Sequence, residues 1–199
     1  MFAIQPDDVV FDVGASVGLM TVYAASAAFK GRVFAFEPDP ETMRRLRRNV
    51  LLNSLSNVEL LPWVLSDRKE EVTLYTDGAG GAAPSIRRQE NRPEAPKGML
   101  MMSSTSLDAE ITTNSLTLPT VIKIDIEGAE ILALRGARKL LTGLFGPKPR
   151  VVFLEVHPKF LPSFNAVVDD VHELMQDFGY SLTSSRVRDD QLHEVYESS

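Results

Sequence analysis

The segment Lys123-Ile124-Asp125-Ile126-Glu127-Gly128 carries three ionisable side chains at alternate positions. In an extended chain, side chains two apart share a face. Lys123, Asp125 and Glu127 then point one way, and Ile122, Ile124 and Ile126 the other. A strand inside a parallel sheet is normally apolar on both faces. Charges there are costly unless they pair or line a cleft. A second apolar run, Arg150 to Val156, closes on Glu155 and His157 with the same alternation. Asp125, Glu127, Glu155 and His157 are thus the catalytic candidates. Two chemistries suit them. His157 or a carboxylate can act as general base toward a hydroxyl, or Asp125, Glu127 and Glu155 can hold a divalent cation that lowers the hydroxyl pKa. The residues alone leave both open, beside a structural pairing of the same groups.

A second constellation lies near the start of the chain, in Asp12-Val13-Gly14-Ala15-Ser16-Val17-Gly18. Gly14 permits a tight turn with close ligand approach, and Gly18 permits close packing as a helix begins. A dinucleotide fingerprint would place glycines at 14, 16 and 19, where this chain has Gly14, Ser16 and Leu19. NAD is therefore disfavoured. The turn suits a ligand bearing a carboxylate, held by the helix N-terminus, and an ammonium, paired with Asp12. S-adenosylmethionine carries both groups. Glu37 ends the next apolar run, where a carboxylate can accept from both ribose hydroxyls.

These residues need a frame. Val9 to Phe11, Arg32 to Phe36, Val58 to Leu65, Val121 to Ile126 and Arg150 to Val156 read as buried strands, with Pro62 interrupting the third. Helices are expected over 17–29, 40–53, 129–141 and 166–178, with Pro40 as a first helical residue and Gly179 as a stop. Ser181 to Ser185 and Leu192 to Tyr196 form a closing hairpin across Arg188-Asp189-Asp190. Glu71 to Tyr75 and Met99 to Met102 form an inserted hairpin around a loop at 77–98, rich in glycine, alanine, proline and charge and expected to be mobile. Strands alternating with helices imply right-handed crossovers and a mostly parallel, doubly wound α/β sheet. Ligands then sit beyond the carboxyl ends of the strands, where both constellations lie.

The 199 residues fit one domain, with 44% apolar and 24% charged residues as in soluble globular chains. The absence of cysteine excludes a disulfide scaffold, a thiolate metal site and a cysteine nucleophile. A net charge of −6 speaks against nucleic acid as the partner. No apolar run approaches the ~20 residues of a membrane span, and no basic and apolar leader follows Met1. The expectation is a cytoplasmic protein.

The blocks VVFDVGASVGL (9–19), VFAFEPDPE (33–41), TSLD (105–108), IKIDIEGAEILALRGA (122–137) and FLEVHP (153–158) resemble the FkbM-type methyltransferases. The resemblance covers all but the 77–98 loop. It implies a class I fold, with a seven-stranded sheet antiparallel at its last strand, that binds S-adenosylmethionine and methylates a hydroxyl on a small molecule, sugar or glycan. It assigns Asp12, Gly14 and Gly18 to the methionine end of the donor, with Ser16 standing where the family has asparagine. It assigns Glu37 to the ribose, Ser66 and Asp67 to the adenine, and Asp125, Glu127, Glu155 and His157 to the acceptor. Two other readings remain: a donor-binding or interaction module of the same fold without activity, and a nicotinamide-dependent oxidoreductase, against which Ser16 and Leu19 argue.

Overall fold

In the computed structural model, which describes residues 4–76, 84–88 and 96–198, the chain alternates strand and helix from its first element. β1 (Val9–Val13) leads to α1 (Leu19–Ala27), β2 (Arg32–Phe36) to α2 (Pro40–Leu52), and β3 (Val58–Leu61) completes the first half. Pro40 opens α2 behind an Asp39 cap that accepts from the Thr42 amide. The chain then leaves the main sheet for β4 (Val64–Leu65), β5 (Glu71–Thr76) and β6 (Gly98–Thr105), and returns through α3 (Leu107–Asn114). β7 (Val121–Ile124), α4 (Glu130–Gly136), α5 (Arg138–Leu141), β8 (Val151–Val156) and α6 (Val168–Asp177) follow. The antiparallel pair β9 (Tyr180–Arg188) and β10 (Gln191–Ser198) closes the fold.

The main sheet has seven strands in the order β3-β2-β1-β7-β8-β10-β9. All neighbours from β3 to β8 are parallel, and β10 runs antiparallel to both β8 and β9. The expected doubly wound α/β fold of class I methyltransferase type is therefore the fold observed. Winding reverses between β1 and β7, the position where such sheets open a crevice at their carboxyl ends. The two faces of the sheet follow the period of two. Phe11, Phe34, Ile122, Ile124, Val152 and Leu154 pack with α4 and α6 residues such as Leu134 and Met175. Val10, Val33, Val121 and Phe153 meet the alanines of α1.

Four local readings are corrected. The stretch 58–65 is two strands, because Pro62 cannot donate to a ladder: β3 pairs with β2, while β4 pairs with β6 in the smaller sheet. β7 stops at Ile124 rather than Ile126. The helix expected over 129–141 is α4 and α5, broken at Ala137. Gly136 there lies so close to β4 that a Cβ would fall 2.0 Å from the Ser66 carbonyl oxygen. Helix α3 was not anticipated, although Ser106 caps it and Asp108 accepts from the Lys139 and Leu140 amides at the start of α5. The inserted hairpin is present as β5 and β6. The 77–98 loop lies largely outside the described residues.

At the amino edge of the sheet, remote from the crevice, Asp8 clips three central strands together. Its carboxylate accepts from Thr120 Oγ1 and from the Gln5 amide, each at 2.6 Å, and from Arg150 Nη2. Burial pushes the Asp8 carboxyl upward, but the bonds from Thr120, Gln5 and Arg150 outweigh it and hold its pKa below 3.8. Asp8→Ala is expected to cost about 1–3 kcal/mol in urea unfolding at neutral pH. A depressed carboxyl contributes stability above its unfolded pKa, so the difference between wild type and variant should shrink as pH falls below about 4.

Candidate functional site

Asp12, Lys123 and Asp125 share the α1 face of adjacent strands. Asp12 pairs in register with Lys123, and Asp125 continues β7, its amide donating to the Val13 carbonyl. Asp12 is 1% exposed and accepts from Thr21 Oγ1 at 2.6 Å. Lys123 Nζ lies 3.2 Å from Asp12 Oδ1 and 3.3 Å from Asp125 Oδ2, and donates to the Gly14 carbonyl at 2.7 Å. Burial alone would drain the Lys123 charge, but the two carboxylates outweigh it and raise its pKa above the usual value. The ammonium thus fixes both the end of β7 and the turn after β1. Asp12 lies under that turn and lines neither of the hollows described below.

The turn occupies left-handed backbone at Gly14 (φ 75°), Ser16 (φ 50°) and Gly18 (φ 94°). A Cβ on Gly14 would fall 1.9 Å from the Asp125 carbonyl oxygen, and one on Gly18 2.4 Å from Leu46 Cδ1. The Ser16 and Asp39 amides donate to the two oxygens of Glu37, at 2.9 and 2.8 Å. Glu37 is 1% exposed. Burial pushes its pKa up to about 7 despite those two bonds. Each oxygen keeps capacity for a further donor.

Two hollows meet at this turn. The narrower, about 190 Å³, is bounded by Phe36, Glu37, Trp63, Leu65, Ile126 and Ile86. The Trp63 ring packs on Phe36 at 5.9 Å. The broader, about 790 Å³, lies on the α1 side of the sheet and falls within the usual size of ligand clefts. Gly14, Ser16, Asp125 and Glu155 belong to both. An apolar slot with a carboxylate at one end fits an adenosine, and the glycine turn beside it leaves room for a polar tail. Ser66 is fully buried, its amide bonded to the Thr105 carbonyl, and Ser66 and Asp67 line neither hollow. Pro84 and Ile86 do line the narrower one, tethered by backbone bonds between Ser85 and Tyr75.

The remaining candidates gather around His157. Its ring is 2% exposed and stacks on Phe160. Nδ1 lies 2.7 Å from Glu130 Oε1, so with a carboxylate there Nδ1 carries the proton. Glu130 also accepts from the Gly128 amide at 2.9 Å. Nε2 faces Glu155 Oε1 at 3.8 Å, Asp125 Oδ1 at 3.9 Å and Glu127 Oε1 at 4.0 Å. Burial disfavours the imidazolium, but the Glu130 bond and the charges of Glu130, Glu127 and Asp125 prevail and raise its pKa to about 9. Burial, then the Asp125 charge, raises Glu155. The Glu155 carboxylate also reaches His193 Nδ1 at 3.4 Å. The structure therefore brings Asp125, Glu127, Glu155 and His157 together, but Glu127 arrives through a left-handed turn (φ 54°) rather than by strand alternation.

Sequence reasoning missed Glu130 and His193. Glu130 was hidden as an ordinary acid in a helical first turn, and only the fold sets it against His157. His193 comes from β10, whose register against Glu155 no local pattern reveals.

Residues 12–182 match the family described as the methyltransferase FkbM domain. Among curated relatives, the AMB antimetabolite synthetase AmbE of Pseudomonas aeruginosa is 29% identical over 96% of this chain and 10% of its own length. The hexuronic acid methyltransferase AglP of Haloferax volcanii is 26% identical over 94% of this chain and 69% of its own. The 2-O-methyltransferase NoeI of Sinorhizobium fredii is 26% identical over 76% and 64%. The chain thus spans from a tenth to about two thirds of these relatives. Of solved structures, an FkbM methyltransferase from Methylobacillus flagellatus superposes with a TM-score of 0.63 at 18% identity, over 99% of this chain and 45% of that one. The Methanococcus jannaschii fibrillarin pre-rRNA processing protein gives 0.62 at 14%, a likeness of fold.

The Lys123 bridge carries an expected outcome. Lys123→Met leaves Asp12 and Asp125 facing one another without a counter-charge, and should cost about 3–5 kcal/mol in urea unfolding at neutral pH. The raised His157 pKa carries another. A histidine favoured in its charged form stabilises the fold fully below its unfolded pKa of about 6.5 and loses that contribution as pH rises through about 9. The unfolding free energy should fall over that window in the wild type, and the fall should flatten in His157→Gln.

Proposed function

The chain belongs to the FkbM methyltransferase family, and on that footing we propose that it moves a methyl group from S-adenosylmethionine to a hydroxyl oxygen on a small molecule, sugar or glycan. The observation that carries this reading is the meeting of the two hollows at Gly14, Ser16, Asp125 and Glu155. A donor seated at the glycine turn and an acceptor entering from the broader hollow come together beside two carboxylates. The name of NoeI, a 2-O-methyltransferase, supports an oxygen acceptor, and that of AglP, a hexuronic acid methyltransferase, supports a sugar-derived one.

Glu37 accepts from the ribose hydroxyls with the lone pairs that Ser16 and Asp39 leave free. Trp63, Leu65 and Ile126 enclose the base, so the adenine is held by apolar contact, with Ser66 and Asp67 shaping the strand end from behind. Gly14 and Gly18 let the chain approach the methionine end. Asp12 acts from beneath, holding the turn through Thr21 and Lys123. When bound, the sulfonium donor supplies an electrophilic methyl group whose carbon–sulfur bond breaks as the carbon–oxygen bond forms, while the hydroxyl proton leaves to a carboxylate of this chain. Glu155 is suited to take that proton: its pKa is raised, and it opens on both hollows. Charged near neutral pH, His157 steadies Glu155, Asp125 and Glu127 electrostatically rather than acting as base.

Donor binding and turnover separate these roles. Glu37→Ala should weaken S-adenosylmethionine binding by about 10- to 150-fold in calorimetry, the loss of charge-assisted bonds of roughly 1.5–3 kcal/mol. Wild-type affinity should rise from pH 6 to pH 8 as Glu37 ionises. Glu155→Gln should keep donor affinity and lower turnover by about 10²–10⁴-fold on a hydroxylated acceptor. Absence of any donor binding by the wild type would refute the reading, and binding with no methylation across a broad acceptor panel would favour a module without activity.

A further inference from the structure

We propose that Asp125, Glu155 and His157 form a binding site for a divalent transition-metal cation, with Nε2 of His157 as its nitrogen ligand. The acids alone would not make a site. The independent observation is His157 itself: the side chain is buried, its Nε2 has no hydrogen-bond partner, and that atom is aimed into the carboxylate cluster. A buried imidazole nitrogen without a partner is unfavourable by itself; in the metal-free protein the Nε2 proton points at oxygen acceptors too distant for a hydrogen bond, and a cation binds there by displacing that proton.

The distances fit an ion between them. With metal–ligand bonds of about 2.0–2.2 Å, two ligand atoms on one ion stand at most roughly 4.4 Å apart. Nε2 is 3.9 Å from Asp125 Oδ1 and 3.8 Å from Glu155 Oε1. One atom from each of the three residues lies within 4.8 Å of the others, so a small rotation of the partly exposed Glu155 carboxylate closes the set. Glu127 Oε1 stands 4.0 Å from the same nitrogen, as a neighbouring negative charge.

The groups behind the ligands are arranged as such sites require. Metal-bound histidines commonly donate their other ring N–H to a carboxylate, which fixes tautomer and orientation. Glu130 holds Nδ1 in this way and is itself fixed by the Gly128 amide. Phe160 stacks on the ring. The local charge also favours a cation: Asp125, Glu127, Glu130 and Glu155 all have a carboxylate oxygen within 4.0 Å of the His157 ring, and Lys123 pairs with Asp12 and Asp125. One imidazole with carboxylates selects an ion of the Mn²⁺ or Zn²⁺ kind over the all-oxygen preference of Ca²⁺. The set differs from the all-carboxylate one read from sequence, since His157 replaces Glu127. An ion here lies beside the acceptor hydroxyl and would ease loss of its proton. That role rests on the transferase reading, whereas the existence of the site does not.

The test uses the whole chain, stripped with chelator and desalted, then titrated with MnCl₂ while electron paramagnetic resonance reports free Mn²⁺. One bound ion per chain is expected, with affinity reduced about 10–100-fold in Glu155→Gln and in His157→Gln. The Glu155 variant, altered at a partly exposed position, reads the site even if the buried His157 variant misfolds. S-adenosylmethionine calorimetry on the same stripped protein keeps the two proposals apart. Donor binding without any Mn²⁺ or Zn²⁺ binding at millimolar metal overturns the cation site and leaves the transferase reading standing. Metal binding unchanged in Glu155→Gln also overturns it. Metal binding lost in that variant supports the site whether or not the donor binds.

Discussion

A single ammonium organises the functional edge of this molecule. Lys123 Nζ stands between Asp12 and Asp125 and bonds the carbonyl of Gly14. It thereby joins the turn after β1 to the end of β7, the two elements that flank the switch in winding. Without that cation, two carboxylates would be buried side by side across adjacent strands. With it, the glycine turn and the Asp125 carboxylate are held in one rigid relation. A methyl transfer needs such rigidity, because the reacting atoms must be aligned within a fraction of an ångström.

The negative excess beyond Lys123 has a structural origin. In strands that bury both faces, the period of two would call for apolar residues at 123, 125 and 155. The chain instead places charge there, on the face turned toward α1, while Ile122, Ile124, Val152 and Leu154 keep the opposite face dry. The fold tolerates the charge because one side opens to hollows and the other is braced by Thr21, Gly128 and the His157 ring. The raised pKa values of Glu37, Glu155 and His157 follow from this partial enclosure, each through its own balance of desolvation and neighbours.

Much of this was legible. The alternation in Lys123-Ile124-Asp125 announced a polar face on a central strand, and Glu155 beside it followed from the same rule. The glycines at 14 and 18 announced backbone that only they adopt cheaply. What stayed hidden was set by tertiary contact. Glu130 is an unremarkable helical acid until the chain folds it against His157. His193 becomes relevant only through the register of β10 on β8. The end of β7 could not be placed because Ile126 continues the apolar pattern while Glu127 already has left-handed backbone. The short α3 lay under a block whose Asp108 serves packing, by capping α5.

The order of the last two strands has a bearing on how the molecule assembles. β9 precedes β10 in the chain yet sits outside it, so β9 has no route into the sheet except on the back of its successor. As the polypeptide is made, β8 keeps a bare edge until β10 has followed it, and an open edge is the kind of surface on which nascent chains stick to one another. Only when the β9–β10 hairpin docks does His193 come to rest against Glu155. The polar centre is thereby completed only after β10 has been made, long after the glycine turn that follows β1.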